Sequence, residues 1–273
     1  MFINTRVLIA VVATVAVAAI APSTAGAWAP AATATVHPGV QTVTAGGQCT
    51  ANFIYTAGGN TYIGQAAHCS STGAATDTDG CLAQSLPLGT PVEVTGASRP
   101  GTLAYNSWLT MQANGESNAD TCAYNDLALV KLDPADVGKV NPSVPGFGGP
   151  TGVGGASATG DDVYSYGNSS LRFVITQLSP KRGIVVSTDG NGWSRTVYTV
   201  TPGIPGDSGS GFLDAQGRAI GTLSTVAIAP LPASNGVADL GRELSYAASH
   251  GTSVSLVNGG PFNGDIVGAI LGS

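Results

Sequence analysis

The sequence predicts an all-β protein built as two packed barrels, with one short helix possible near the C-terminus. Three observations carry this. Most of the 273-residue chain divides into short alternating runs bounded by Gly, Asn and Ser, the pattern of closely spaced strands. Helical periodicity is weak outside one C-terminal segment. Residues 141–160 hold three Pro and seven Gly with no periodic pattern, which reads as a connection between two β halves of similar length.

Taken in order, the chain opens with Arg6, an apolar run from Val7 to Ala21, and small residues at Ala25-Gly26-Ala27. A basic start, a short apolar stretch and an A-x-A site describe a secretory signal peptide over residues 1–27. The apolar run is too short to span a bilayer, and no later segment is long enough. The first barrel is expected over 41–140. Within it, Asn52–Tyr55 and Tyr62–Gly64 flank Ala57-Gly58-Gly59-Asn60 as a hairpin. The apolar run Asp126–Leu132 reads as a buried strand. After the linker at 141–160, the second barrel is expected over 161–262. There Arg182–Thr188 and Trp193–Val200 flank Asp189-Gly190-Asn191-Gly192, and Phe212-Leu213 and Ala219–Ser224 flank a further turn. The helix starts at Asp239 as cap, places Leu240, Leu244 and Ala247 or Ala248 on one face, and stops at Gly251. The tail Asp265–Leu271 is short, Gly-broken and carries no assignment.

Charged residues make up 10% of the chain, against about 25% in an average soluble protein. Hydrophobic residues reach 43%, so the low charge fits a compact, turn-rich β protein rather than disorder. A net charge of −6 argues against a nucleic-acid surface, and the longest basic cluster, Lys181-Arg182, reads as a solvated loop. Four cysteines, Cys49, Cys69, Cys81 and Cys122, follow the signal segment. An even count there suggests two disulfides in an oxidising compartment. No ligand spacing for zinc is present, and Asp77 and Asp79 before Gly80 read as a turn rather than a calcium loop. No metal and no cofactor is expected.

Three segments carry chemistry: Gln65-Ala66-Ala67-His68-Cys69, Asn125-Asp126-Leu127-Ala128-Leu129-Val130, and Gly206-Asp207-Ser208-Gly209-Ser210-Gly211. A serine hydroxyl is a weak nucleophile. It needs a base to take its proton, a third group to hold that base in one tautomer, and donors aimed at the oxyanion. Ser208, His68 and Asp126 can supply the first three parts, and the Gly206 and Ser208 N–H groups the last. Each residue alone is more often structural. Their joint occurrence in motif context reverses that weighting.

These segments resemble the chymotrypsin-like serine peptidases, especially the secreted bacterial branch, from about Gln48 to Ser224. A-A-H-C, D-L-A-L-V and G-D-S-G stand in the order His, Asp, Ser. The resemblance implies two six-stranded barrels, a secreted monomeric endopeptidase acting through an acyl-enzyme, and a protein or peptide substrate. It implies no nucleic-acid partner and no membrane after signal cleavage. The expected bridges are Cys49–Cys69, which would restrain the base as in the family, and Cys81–Cys122. Gly221-Thr222-Leu223-Ser224 resembles the edge segment that pairs with substrate, with Ser224 as its substrate-binding residue. Where relatives that cut after Lys or Arg carry an acid, this chain has Pro202; where those that cut after Glu carry a His, it has Leu223. An apolar or small P1 residue is the resulting expectation. In animal members a new N-terminus pairs with the Asp beside the nucleophile, here Asp207. No Lys or Arg lies between Arg6 and Arg99, so an internal cation is expected to replace it. Arg172 is the first choice, followed by Lys181, Arg182 and Arg195.

The sequence also allows two other readings. Ser208, Asp239 and His250 stand in the order of an α/β-hydrolase, but Ser210 breaks G-x-S-x-G and strand–helix alternation is missing. A binding module on a peptidase fold would be expected to lack a triad member or an oxyanion glycine, and none is missing. His37, in a His-Pro-Gly turn, is expected to be exposed.

Overall fold

The structure, a computed structural model, describes Met1 and residues 28–74, 77–226 and 233–272. The proposed signal segment therefore lies outside the described residues, Met1 apart.

The first half contains β1 (Gln41–Thr44), β2 (Gly47–Thr50), β3 (Ile54–Ala57), β4 (Asn60–Ala66), β5 (Pro91–Val94), β6 (Gly101–Asn106), α1 (Ser107–Ala113), α2 (Ala119–Tyr124) and β7 (Leu127–Lys131). The second contains β8 (Asp162–Tyr166), β9 (Pro180–Asp189), β10 (Ser194–Val200), β11 (Gly211–Asp214), β12 (Ala219–Val226) and β13 (Asn235–Asp239). After these come α3 (Leu240–Ser249), β14 (Ser255–Leu256) and α4 (Ile266–Leu271). The second half closes into a six-stranded barrel in the order β10-β13-β12-β11-β8-β9. The first forms an eight-stranded antiparallel sheet, β14-β3-β4-β7-β6-β5-β1-β2. Its count exceeds six partly because the chain returns after α3 and adds β14 to β3. Strands of the closed barrel thus end at Asp239, and the stretch expected to close it up to 262 partly serves the first sheet.

The hairpins form where the turn chemistry places them. β3 and β4 pair through Gly58-Gly59, both at positive φ. β9 and β10 meet at Gly190, Asn191 and Gly192, all left-handed, a geometry that Gly and Asn tolerate. β7 is buried along four of its five residues because it lies between two cores. Ala128 and Val130 face the first, with Ile54, Ile63 and Leu103. Leu127 and Leu129 face the layer between the halves, with Phe53, Phe147, Leu213 and Leu240. Side chains alternate along a strand, so one short apolar run fills both. A third cluster, including Val185, Val197, Phe212 and Leu223, fills the closed barrel.

The helix over Leu240–Ser249 starts as expected, with the Asp239 carboxylate accepting from the Arg242 N–H. Leu240 and Ala247 are buried on its inner face, and so is Glu243. Both expected disulfides are present, Cys49–Cys69 and Cys81–Cys122. No helix among the described residues is long and apolar enough to cross a membrane.

Candidate active site

β4 ends at Ala66 and the chain tightens into a single turn, Ala67–Ser70, that carries His68. The Cys49–Cys69 bridge ties this turn to β2. Asp126 sits immediately before β7, and β7 pairs with β4 in register, Ala66 opposite Leu127. Two adjacent strands thus deliver the imidazole and the carboxylate to one edge. The Ala67 N–H donates to the Asp126 carbonyl at 2.8 Å. The Asp126 carboxylate accepts from the His68 backbone N–H at 2.9 Å and from His68 Nδ1 at 2.7 Å. The Ser224 hydroxyl donates to the same carboxylate at 2.5 Å. With Nδ1 donating, Nε2 is left as the basic nitrogen. Asp126 is buried and His68 half-buried. Burial pulls the imidazole pKa down, but the charge of Asp126 and its hydrogen bond outweigh this and raise it above its ordinary 6.5.

Ser224 reaches Asp126 because β12 is irregular there: the register against β13 shifts between Leu223 and Thr225. A bulge re-aims a side chain in this way. The sequence assigned Ser224 to substrate; the structure also gives its hydroxyl to the carboxylate. Past Ser224, β12 keeps β13 on one side, while β11 begins at Gly211, opposite Thr222. Among the described residues, no strand borders the other side of Thr225 and Val226.

Ser208 lies on a tight turn between the halves. Its carbonyl accepts from the Thr50 N–H at 2.8 Å, and the Gly209 N–H donates to Leu223 at 2.7 Å. Gly209 approaches β4 so closely that a Cβ would stand 2.8 Å from the Ala66 nitrogen, two residues before His68. Gly206 has φ +95°, and a Cβ there would meet the Gln48 and Ser169 side chains at 2.4 and 2.8 Å. Both positions therefore require glycine. Asp207, Gly209 and Ser210 N–H groups donate within the fold. Among the described residues, those of Gly206 and Ser208 find no protein acceptor. The Ser208 hydroxyl, half-exposed, makes no hydrogen bond among the described residues either.

Asp207 points the opposite way and is fully buried. It accepts from the Ser169 and Ile204 N–H groups at 3.0 and 3.1 Å. Arg172 Nη2 donates to it, and Lys181 Nζ lies at 3.1 Å. The first-choice cation, Arg172, is thus in place. The Lys181-Arg182 pair is not the solvated loop expected. It lies on β9, where Lys181 turns inward to Asp207, and Arg182 outward to Asp162. Burial and the nearby Arg172 pull the Lys181 pKa down, Asp207 opposes them, and the result is about 8. Arg195 instead pairs with Asp239.

That last pair also separates the residues of the α/β-hydrolase reading. Asp239 is engaged by Arg195, and His250 stacks on Tyr246 with ring centroids 4.1 Å apart. Neither is hydrogen-bonded to Ser208. His37 is half-buried rather than exposed, with Nδ1 2.8 Å from the Pro38 carbonyl. Asp79 caps its own turn, accepting from the Cys81 N–H at 2.9 Å. Sequence reasoning missed Glu243, whose Oε1 accepts from the Asp126 N–H at 3.0 Å. One signal marks it: an acid on the apolar stripe Leu240–Ala247 of an otherwise ordinary amphipathic helix.

No family model matches this sequence, and no curated protein matches it. Solved structures do resemble it. Protease A of Thermobifida fusca is 20% identical with a TM-score of 0.54, over 82% of this chain and 99% of that one. A glutamic acid-specific serine protease that uses a histidine triad in substrate binding is 19% identical with a TM-score of 0.52, over 81% of this chain and all of that one. These likenesses show the fold: the chain has the double-barrel architecture of chymotrypsin-like serine proteases.

Proposed function

We propose that this protein is a secreted serine endopeptidase, with Ser208 as nucleophile, His68 as general base and Asp126 as the group that orients the base. One observation carries the reading. A buried carboxylate fixes the His68 tautomer through Nδ1, beside a glycine-framed turn that presents a serine hydroxyl and two backbone N–H groups with no acceptor among the described residues.

In the first step Ser208 Oγ bonds to the scissile carbonyl carbon as its proton passes to His68 Nε2. The carbonyl π pair moves to oxygen, where the Gly206 and Ser208 N–H groups receive it. Collapse of this intermediate expels the amine, which takes the proton from Nε2 and leaves an acyl-enzyme. Water then repeats the sequence and releases the acid. Asp126 stays ionised throughout and stabilises the imidazolium. The side of Thr225 and Val226 that no strand borders among the described residues suits an extended peptide added as a strand. Pro202 and Leu223 fit an apolar or small P1 residue. The two disulfides fit an oxidising destination, and residues 1–27 supply the export signal in this reading. Asp207 is neutralised from within the second half, so activity needs no tryptic trimming of the N-terminus.

The direct test is an active-serine phosphonate. It should label Ser208 and stop hydrolysis of an unstructured protein substrate; label on another residue overturns the assignment. A pH profile provides a second test. Only neutral imidazole accepts the serine proton, so kcat/KM should fall as pH drops through the His68 pKa. Because Asp126 raises that pKa, the midpoint should lie above 6.5. A profile flat from about pH 8 to pH 4 would rule out a histidine base.

A further inference from the structure

We infer that Glu243, as an uncharged buried acid, is a positioning residue for Asp126, gripping its backbone with one oxygen and the neighbouring strand β12 with the other. This deepens the peptidase reading and rests on it for its catalytic consequence.

The contacts close a ring. Glu243 is fully buried. Its Oε1 accepts from the Asp126 N–H at 3.0 Å, and Oε2 lies 3.0 Å from Thr222 Oγ1. Thr222 is two residues before Ser224, whose hydroxyl returns to the Asp126 carboxylate. Glu243 therefore links the first half, at the entry to β7, to the bulged strand of the second half. Asn52 extends the network, with Nδ2 3.5 Å from Thr222 Oγ1 and Oδ1 accepting from the Tyr55 hydroxyl at 3.2 Å.

The surroundings decide the charge. The groups that face Glu243 are Asp126 beside β7, Asp239 at the start of α3, and the hydroxyls of Tyr55 on β3 and Tyr105 on β6. Arg195 is spent on Asp239, and no ion pair reaches Glu243 among the described residues. An ionised Glu243 would be a buried anion behind another anion, with no cation beside it, an arrangement that folding penalises heavily. Burial and the charge of Asp126 hold its pKa well above the usual carboxylate range, and the two hydrogen bonds do not reverse this. Oε1 accepts from the Asp126 N–H and Oε2 from the Thr222 hydroxyl, and the uncharged carboxyl keeps both contacts. Placed this way, Glu243 fixes the carboxylate without adding a second negative charge to the charge pair.

The test uses Glu243→Gln and Glu243→Leu in the full chain. Gln is likewise uncharged and keeps an oxygen for the Asp126 N–H, while its NH2 faces the Thr222 hydroxyl, which can rotate to accept. Leu keeps the volume and orphans both partners. Imidazole titration of His68 by NMR, without substrate, should give the same midpoint in the Gln variant as in the parent. An ionised Glu243 would have raised that midpoint, so its removal would lower it; a fall of about one pH unit or more would overturn the proposal. Leu should lower kcat by about ten- to a hundredfold, with a smaller change in KM, because an orphaned buried donor shifts the group it belonged to. Gln should restore most of that loss. Parental kcat in the Leu variant would also overturn the proposal. Should Leu fail to fold, the His68 midpoint in the Gln variant still decides. That midpoint does not depend on hydrolysis at Ser208, so failure here is distinct from failure of the peptidase reading.

Discussion

Ser208→Ala is expected to lower kcat by about a millionfold, with the fold and both disulfides retained, because nucleophile and base act as one unit. Ser208 is half-exposed, and its side chain makes no hydrogen bond among the described residues, so removal of the hydroxyl leaves no buried group unpaired. Unfolding free energy should therefore stay close to that of the parent while activity collapses. His68→Ala should cost about as much as Ser208→Ala, and the double variant little more than either, since a base without a nucleophile has no proton to take. Asp126→Asn should lose about 10⁴-fold, because an amide in place of the carboxylate favours the wrong imidazole tautomer. It also replaces an oxygen that accepts from both His68 and Ser224. Steady-state kinetics on a peptide substrate, with unfolding measured in parallel, separates the two effects. A Ser208→Ala variant that keeps even a tenth of parental kcat would exclude Ser208 as nucleophile. A collapse in stability alongside activity would show that the residue was structural.

The parts of the fold legible in the sequence are those set by local chemistry. Gly58-Gly59 and the run Gly190-Asn191-Gly192 adopt left-handed backbone that few residues tolerate, so these two hairpins could be placed. Asp239 fixed the start of α3 in the same way. The short helices α1 and α2 each begin at an asparagine cap, Asn106 and Asn118, but at one to two turns they lack a periodic apolar stripe. β14 is two residues long and exists only because β3 offers it an edge, a long-range fact without a local signature. At the site, His68, Asp126 and Ser208 could be singled out because each stands in a short contiguous motif. Burial of a polar residue follows from tertiary placement and escaped the reading. Nothing in Lys181-Arg182 says which of the two faces inward; strand alternation on β9 decides it, and Asp207 is the reason a buried lysine is tolerated there. Glu243 escaped for a related reason. An acid on a helix reads as solvated unless its neighbours on the stripe are weighed, and its partner is a backbone N–H that no motif encodes.

Asp207→Ala is the substitution expected to cost most in stability. Asp207 is fully buried and carries two cations, Arg172 and Lys181, plus two backbone N–H groups. Its loss leaves both cations in the interior without a counter-ion. Lys181 has an escape, because its pKa is already drawn down to about 8 and it can shed its proton. Arg172 has none, since a guanidinium stays charged at any pH the fold survives. Breaking a buried pair from one side typically costs about 3–5 kcal/mol, so Asp207→Ala should unfold at much lower denaturant than the parent. Arg172→Met should cost less, because Lys181 remains to neutralise the carboxylate. Lys181→Met should cost least, since Arg172 keeps its own bond to Asp207 and an aliphatic side chain suits the buried volume. The ordering matters more than any one value, because it follows from which charge is stranded. Activity should track it. Asp207 lies between Gly206 and Ser208, whose N–H groups find no acceptor among the described residues, and the turn that aims them is held by its carboxylate through Ser169 and Ile204. kcat should thus fall in Asp207→Ala at temperatures where the variant is still folded. Urea unfolding of the three variants at one pH below 8 checks the ordering. A loss of under about 1 kcal/mol in Asp207→Ala, or a larger loss in Lys181→Met than in Arg172→Met, would mean that the buried carboxylate is not the charge centre that holds this turn.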